Sequence, residues 1–482
     1  MKAGRQKILD LVVIGSGLSA LNFIDTYLER KTNINVISPK INKYSLRNNK
    51  KNFTHLPSQM TGKDVQINNY FSLNNIDKKK SCKALGILDP GGLSDYWGLQ
   101  LDNYLNKDQK KLSNKSFKVI EKSYVEFLKK FNLLGSYRKK DKILFNNDYE
   151  IPSFLKELLT DDHKNFNCRK PILAFSKKKL KNSNLNNLDE EKDKLISKNF
   201  LKSIKRKGKI IFHNYYVEKI FNKKNYIQIN CKDKTKQKIF FAKKVIFSAG
   251  TIATTKIIMD FLNIQNEVKI KHHPRLLSMF ISKKPINTNL SFTPSLLQII
   301  NKSKKDYFAG DLRPGNKLIT KSIVETIFFT RPFKFLINIL RYRLLFSNIL
   351  LDSTHSDIFI KKEKKVFKLY NKSKNLKNIL KEKNKKIFNF LLSKNLIFPF
   401  YKTFYPGSGA DYHYFGSIPF NNKGKLSVNN NCQLNAQKNI YIVDGSIFDF
   451  KTNKYPLGFM IANARRIGRL LSKWVFLEFI YI

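Results

Sequence analysis

The stretch DLVVIGSGLSALNFIDTYLERK, Asp10 to Lys31, decides the fold of this chain. An apolar run from Leu11 to Ile14 leads into Gly15-Ser16-Gly17-Leu18-Ser19-Ala20, and a helix-period stretch follows to Lys31. Strand, tight glycine turn and helix in that order open a dinucleotide-binding βαβ unit. The spacing assigns Gly15 to the sharp turn, Gly17 to a close approach of backbone to a pyrophosphate, and Ala20 to tight packing of helix on strand. The pyrophosphate is expected at the helix N-terminus, where Leu18 and Ser19 begin the run of unpaired N–H groups. A plain glycine-rich turn in a structural α/β unit is the bland alternative.

The unit closes with a second strand, Ile34 to Ser38. An acidic residue usually ends this strand and binds ribose hydroxyls. Here Ser38 holds the position, and its hydroxyl is expected to take the contact. Downstream, Lys209–His213, Tyr216–Ile220 and Lys244–Ser248 read as strands, and Tyr226–Cys231 with Ile239–Ala242 reads as a hairpin. An amphipathic helix is expected near 114–134 and another from Gly458 to Ser472. The stretches 40–80 and 176–195 are Lys- and Asn-rich and read as loop or low complexity. No internal repeat of fixed period is present.

A chain of 482 residues with 42% hydrophobic content is long enough for several domain equivalents and can fill a sizeable core. Lys plus Arg number 91 against 36 Asp plus Glu, a formal net charge of +55. That balance fits nucleic acid, an anionic membrane or an acidic substrate. No nucleic-acid-binding motif is present and the lysines run along the whole chain, so nucleic acid is not an expected partner. Heavy use of Lys, Asn, Ile, Phe and Tyr also fits compositional drift on a solvated surface. The four cysteines (Cys82, Cys168, Cys231, Cys432) form no CxxC pair, which suggests neither a disulfide framework nor a zinc site. The opening MKAGRQK passes straight into the first strand, so no secretory or twin-arginine signal is expected and the cytoplasm is the expected compartment. No apolar run reaches transmembrane length. Residues 323–351 mix basic and aromatic residues at helical spacing, which suits either a helix in a membrane interface or, preferred here, a helix with its apolar face in the core. The former would place the protein peripherally at the inner membrane surface. The terminal WVFLEFIYI is too short to span a bilayer.

Four widely separated segments fit one plan. They are the Gly15–Ala20 turn; Gly91-Gly92-Leu93-Ser94-Asp95-Tyr96-Trp97-Gly98; Lys244 to Lys256, containing Ser248-Ala249-Gly250-Thr251; and a last block from His413-Tyr414-Phe415-Gly416-Ser417 through Asn439–Phe448 to Pro456. Together, and in this order, they resemble the glucose–methanol–choline (GMC) family of FAD-dependent alcohol oxidoreductases. The likeness covers the first hundred residues, 200–275 and 410–475. The Gly-Gly-x-Ser-x-x-Trp pattern is most like the pyranose-oxidising branch.

The resemblance implies an α/β chain with an FAD-binding Rossmann-like domain of glutathione-reductase type, interleaved with a substrate domain of mixed sheet and helices. FAD-binding parts are expected at 7–103, 200–275 and 421–475, with a substrate or cap segment at 104–199 and a substrate domain at 276–420. Gly91, Gly92 and Gly98 suit a backbone passing close over a flat isoalloxazine ring. Ser94 and Trp97 fall beside them. In the pyranose-oxidising branch a His, covalently bonded to flavin in some members, precedes the Trp. Tyr96 stands there in this chain, which implies non-covalent FAD. Val217 corresponds to an adenine contact, and Ala249, Gly250 and Thr251 to the chain skirting the cofactor. Asp444, Gly445 and Ser446 correspond to the ribityl and pyrophosphate region, and Pro456 and Leu457 to the turn facing the pyrimidine.

His413 occupies the family's His-x-x-Gly-[Thr/Ser] position and is the expected general base, since removal of a hydroxyl proton must accompany hydride transfer to flavin N5. His272 and His273, before Pro274, are expected in a solvated loop. The family's second His or Asn, just before the last Pro, is replaced by Tyr455, with Asn453 nearby. Either is a candidate partner for His413. The expected function is therefore oxidation of a CH–OH group in a polar, sugar-like molecule, anionic or a glycan, with the electron acceptor left open. The alternative is a flavin-binding protein without alcohol oxidation, serving as a membrane-surface or complex-assembly partner. An NAD-dependent dehydrogenase is disfavoured by the Gly91–Gly98 and Asp444–Ser446 segments.

Overall fold

Five strands, each with an apolar centre, lie side by side and parallel: Ile8–Ile14, Asn33–Ile37, Lys209–His213, the second half of Gln237–Phe247, and Gln437–Ile442. Taken in chain order their spatial order is third, second, first, fourth, fifth. Val12, Val36, Val245 and Ile440 are buried, as a parallel sheet covered on both faces requires. The chain is thus a mixed α/β protein. The structure, a computed structural model, describes residues 7–39, 70–88, 91–109, 111–139, 142–160, 163–176, 185, 195–204, 207–233, 236–286, 294–303, 306–315, 332, 334–372, 375–421 and 423–473.

The glycine turn leaves the first strand into the helix Leu18–Tyr27, which packs on the closing helix Leu457–Lys473. A side chain at Gly468 would overlap Thr26 and the Phe23 carbonyl, so the two helices touch through backbone. Arg465 of one helix reaches Asp25 of the other, at 2.6 Å, and Lys130 and Lys207 also pair with that buried carboxylate. Strand order reverses between Ile8–Ile14 and Gln237–Phe247, and at such a reversal a crevice opens beyond the carboxyl ends of the strands.

One strand differs from its sequence reading. Ile239–Ala242 and Lys244–Ser248 were expected as separate strands, but Gln237–Phe247 is continuous. Its first half pairs antiparallel with Ile227–Lys232 and its second half parallel with Gln437–Ile442. Lys243 interrupts the apolar pattern without breaking the strand, because it points to solvent and pairs with Asp10 at 2.9 Å.

A second, fully antiparallel sheet runs Ile397–Phe404, Arg275–Ser282, Leu344–Leu351, Phe308–Pro314, Leu297–Asn301, Phe166–Arg169. Alternation gives it two unlike faces. Leu276, Phe280, Leu312 and Ile349 fill an apolar face backed by the helix Leu376–Ser393. The opposite face carries Arg275, Asp311, Arg313 and Asn348, which sit near one another through the pairs Arg275↔Leu350 and Leu277↔Asn348. The expected division at 275 falls at the start of one of these strands. Ile76–Lys78 and Val268–Ile270, from the flanking segments, join Ile358–Glu363 and Val366–Asn371 in a four-stranded sheet.

In the 323–351 stretch, residues 323–331 and 333 lie outside the described residues, as do 474–482 and most of 40–80 and 176–195. The part that reaches the core is the strand Leu344–Leu351, a buried strand whose apolar residues flank Ser347 and Asn348. The helix Lys334–Leu340 instead turns Phe335, Leu336, Ile339 and Leu340 outward, contrary to the preferred reading of a core-facing helix. Among the described residues no helix is long and apolar enough to cross a membrane.

Gly15 has φ +110°, and a Cβ built there would overlap the Ser248 carbonyl oxygen. Gly15→Ala combines the left-handed backbone cost with overpacking against a neighbouring strand, together about 2–5 kcal/mol. The expected outcome is a lower midpoint in chemical denaturation, with a control substitution at exposed Val119 leaving it unchanged.

Candidate functional site

A cleft follows the carboxyl ends of the parallel strands from the glycine turn to the closing helix. Of the residues singled out in the sequence, it is lined by Gly15, Gly17, Leu18, Ser19, Ser38, Gly91, Gly92, Ser94, Trp97, Gly98, Val217, Ala249, Gly250, Thr251, His413, Asp444, Gly445, Tyr455, Pro456 and Leu457. Segments more than 400 residues apart therefore share one wall. Three others lie off it. Ala20 is fully buried in the helix, Tyr96 packs beside Leu85 and Ile87, and the Asn453 amide donates to the Leu350 carbonyl at 3.1 Å.

The floor is built by close contacts. Gly15 N–H donates to the Ile37 carbonyl and Ser248 N–H to the Ile14 carbonyl, so three strand ends meet at the turn. The Ser94 hydroxyl accepts from Leu18 N–H at 2.9 Å and donates to the Gly91 carbonyl at 2.6 Å. It ties the Gly91 loop to the helix N-terminus. Ser38 and Ser16 share a hydrogen bond of 2.8 Å at the end of the second strand. Gly250, at φ +86°, has no atom within 4 Å of where a Cβ would stand, so the cleft is open above it.

Asp444 joins two of the segments. One carboxylate oxygen accepts from Gly250 N–H and the Thr254 hydroxyl, and the other from Ser446 N–H and its hydroxyl. Four donors saturate it, which lets a carboxylate remain in a place where burial pushes its pKa up.

His413 stands at the far end of the cleft. Its ring lies edge-on to Tyr455 at 5.1 Å and to His273 at 5.6 Å. Its Nδ1 is sealed from solvent without a partner. Burial pushes its pKa down to about 4; Asp411 opposes this and Arg275 and Arg313 reinforce it. At neutral pH His413 is therefore uncharged and free to accept a proton. Tyr455 is held from the opposite side. Its hydroxyl donates to Asp311 at 2.9 Å and accepts from Asn348 at 3.2 Å, with Arg313 at 3.5 Å. Its N–H donates to Asp102. The phenol proton is thus committed to Asp311, and burial with that carboxylate raises its pKa.

His272 and His273 were expected in a solvated loop, yet both are fully buried. His272 bridges two carboxylates, Nδ1 to Asp411 at 2.8 Å and Nε2 to Asp357 at 2.9 Å. Burial alone pushes its pKa down, but Asp411 and Asp357 outweigh it and hold the imidazole up at about 9. Asp411 also accepts from the N–H groups of His273 and His413, at 3.0 and 3.3 Å. One ion pair therefore fixes the backbone that presents His413. Asp411, Asp357, Asp311, Arg275 and Arg313 were not found from sequence. The His-His-Pro triplet was the available signal, but its partners come from strands and loops 80–140 residues away.

No protein-family model matches the chain, and no curated protein matches it.

The His272 ion pair predicts a pH dependence. Its folded pKa of about 9 lies above the unfolded value, so its stabilisation is full below about 6.5 and is lost as pH rises through about 9. The shift corresponds to about 3 kcal/mol. Urea denaturation at pH 6.5 and pH 9.5 should show this loss in the native chain. In His272→Gln the loss should be absent.

Proposed function

We propose that this chain is an FAD-dependent oxidoreductase of CH–OH groups, a divergent relative of the GMC family with non-covalently bound FAD. The observation that carries the reading is the convergence of four separate sequence segments on one cleft with a neutral histidine at its end. A glycine-rich turn on its own would not bring Gly91, Gly250 and His413 to the same wall.

The residues present fit the group. The helix beginning at Leu18 and the Gly15–Ser19 turn would hold the pyrophosphate. Ser38 and Val217 would take the ribose and adenine end. The open backbone at Gly92 and Gly250, where added Cβ atoms would meet little or nothing, leaves room for a flat ring. Gly98, Asp444–Gly445 and Pro456–Leu457 would border its other edges. The chemistry FAD supplies when bound is acceptance of a hydride from the carbon that bears the hydroxyl.

The chain's own part is proton removal and charge stabilisation. His413 takes the hydroxyl proton, with Nε2 as the accepting atom because Nδ1 is sealed off. Arg275 and Arg313 disfavour the protonated imidazole, so the proton is readily passed on, and they favour negative charge on the substrate oxygen. Tyr455 orients the His413 ring, and its hydroxyl, bound to Asp311, takes no proton from substrate. The second reading, flavin binding without alcohol oxidation, draws on that committed phenol. Steady-state turnover on a panel of sugars, sugar acids and alcohols separates the two.

The absorbance spectrum of the purified protein before and after acid precipitation tests the cofactor. A band near 450 nm that moves to the supernatant, with FAD identified by mass, is expected. Colour retained in the pellet would mean covalent flavin, and a protein that takes up no FAD would end this reading. For the base, His413→Asn should retain FAD and slow flavin reduction by at least about 100-fold. In the native chain kcat/KM should be flat near neutrality and fall as pH drops through about 4, where His413 protonates.

A further inference from the structure

Large apolar side chains exposed singly are ordinary, but in this chain they concentrate. Two elements carry eight of them. In the helix Lys334–Leu340, Phe335 is 75% exposed, and Leu336, Ile339 and Leu340 join it on one stripe, spaced i, i+1, i+4, i+5. In the strand Ile397–Phe404, Phe400 is 66% exposed, and Phe398, Tyr401 and Phe404 are exposed as well. That strand is the edge of the six-stranded sheet, with one side unpaired among the described residues. Edge strands are normally blunted by charge or proline or covered, and this one carries Pro399 and Lys402 yet also presents three phenylalanines.

The two elements sit at the same corner. Ser282 pairs with Ile397 and Ile281 with Leu344, the residue that follows the turn after the helix. Arg343 donates to the carbonyls of Ser282 and Lys283, and the Lys283 ammonium lies 6.0 Å from the Phe398 ring. The helix end and the strand start are thus joined through one basic loop.

The charge around the corner is predominantly basic, with Glu157, 3.9 Å from Lys284, as an acidic neighbour. Lys283, Lys284, Arg341, Arg343, Lys394 and Lys402 belong to segments 276–286, 334–351 and 394–404, none of which contains an Asp or Glu. The whole chain carries a formal net charge of +55. Apolar side chains at the centre and a rim in which basic residues outnumber acidic ones suit the interface of an anionic lipid bilayer, where aromatic and aliphatic groups enter the acyl boundary and Lys and Arg meet the headgroups.

We infer that this corner, the helix Lys334–Leu340 with the edge strand Ile397–Phe404, is a docking surface for an anionic membrane. The binding is peripheral, and it does not depend on the oxidoreductase reading. Sequence alone pointed only to 323–351, which contains the helical half.

The test uses the full chain and vesicle flotation, comparing phosphatidylcholine with a 70:30 mixture of phosphatidylcholine and phosphatidylglycerol. Binding to the mixed vesicles, little to the neutral ones, and weakening in 0.5 M salt are expected. Because any basic face attracts anionic vesicles, the deciding comparison is the double variant Phe335→Ser, Phe400→Ser. It should bind at least tenfold more weakly, while Phe221→Ser, an exposed phenylalanine on a different sheet, binds as the native chain does. Equal binding by the double variant and the native chain, with unchanged circular dichroism, would overturn the inference and leave only diffuse charge attraction. Equal binding to both vesicle types would overturn the anionic preference. Absence of vesicle binding would also overturn it. If, in addition, sedimentation showed a dimer that the double variant dissociates, the corner would be an interface between copies.

Discussion

The meeting of Gly15 with the Ser248 carbonyl is the constraint on which the rest of this molecule depends. Two parallel strands that begin more than 200 residues apart end so close together that no side chain fits between them. The first strand can then turn sharply into its helix while the fourth turns the other way at Gly250. The cleft exists because these two departures diverge. Asp444 fastens the fourth exit to the turn after the fifth strand, since its carboxylate collects Gly250 and Thr254 from the one and Ser446 from the other. A cleft made by departing strands and fastened by saturated polar groups costs little when empty. It also leaves helix N-termini pointing into it.

Charge at the other end of the cleft is organised differently. His272 is kept protonated between Asp411 and Asp357, while His273 and His413 beside it are kept neutral by burial, to about 3 and about 4. Three histidines of the same intrinsic basicity are separated by several pKa units through their neighbours. The charged one has the two carboxylates, and the neutral ones have guanidinium groups or another histidine nearby. Positioning and proton acceptance are thereby assigned to different residues. Losing the Asp411 contact would release the His413 backbone as well as discharge His272.

The parallel sheet was readable because its strands carry apolar runs, several of them followed within a few residues by a glycine (Gly15, Gly250, Gly445), a pattern with few alternatives. Gly15 to Ser19, Ser38, Gly91 to Ser94, Gly250 and Asp444 fall on one wall for the same reason, as ligand contacts in such a sheet gather at strand ends. Tyr96 and Asn453 fell elsewhere. Each sits in a turn whose side-chain direction depends on partners distant in sequence: Leu85 and Ile87 for the one, the Leu350 carbonyl for the other. The antiparallel sheet was hardly readable. Its polar face interrupts the apolar alternation with Arg275, Asp311, Arg313 and Asn348, which look like surface residues until Tyr455 is brought against them.

By itself the sequence determined the order of the elements, the glycine turn, the strands that carry the cleft and the histidine expected at its end. The elements and the turn follow from local properties, namely backbone freedom at glycine, periodicity of apolar side chains and the length of each run. The histidine rests instead on the resemblance of its segment to a known family. Tertiary structure alone decided which histidine is charged, that the Tyr455 proton belongs to Asp311, and that two phenylalanine-bearing elements share one corner. Those facts depend on distances between residues remote in the chain. Electrostatic and packing energies are set by such distances and by burial, neither of which a linear pattern records.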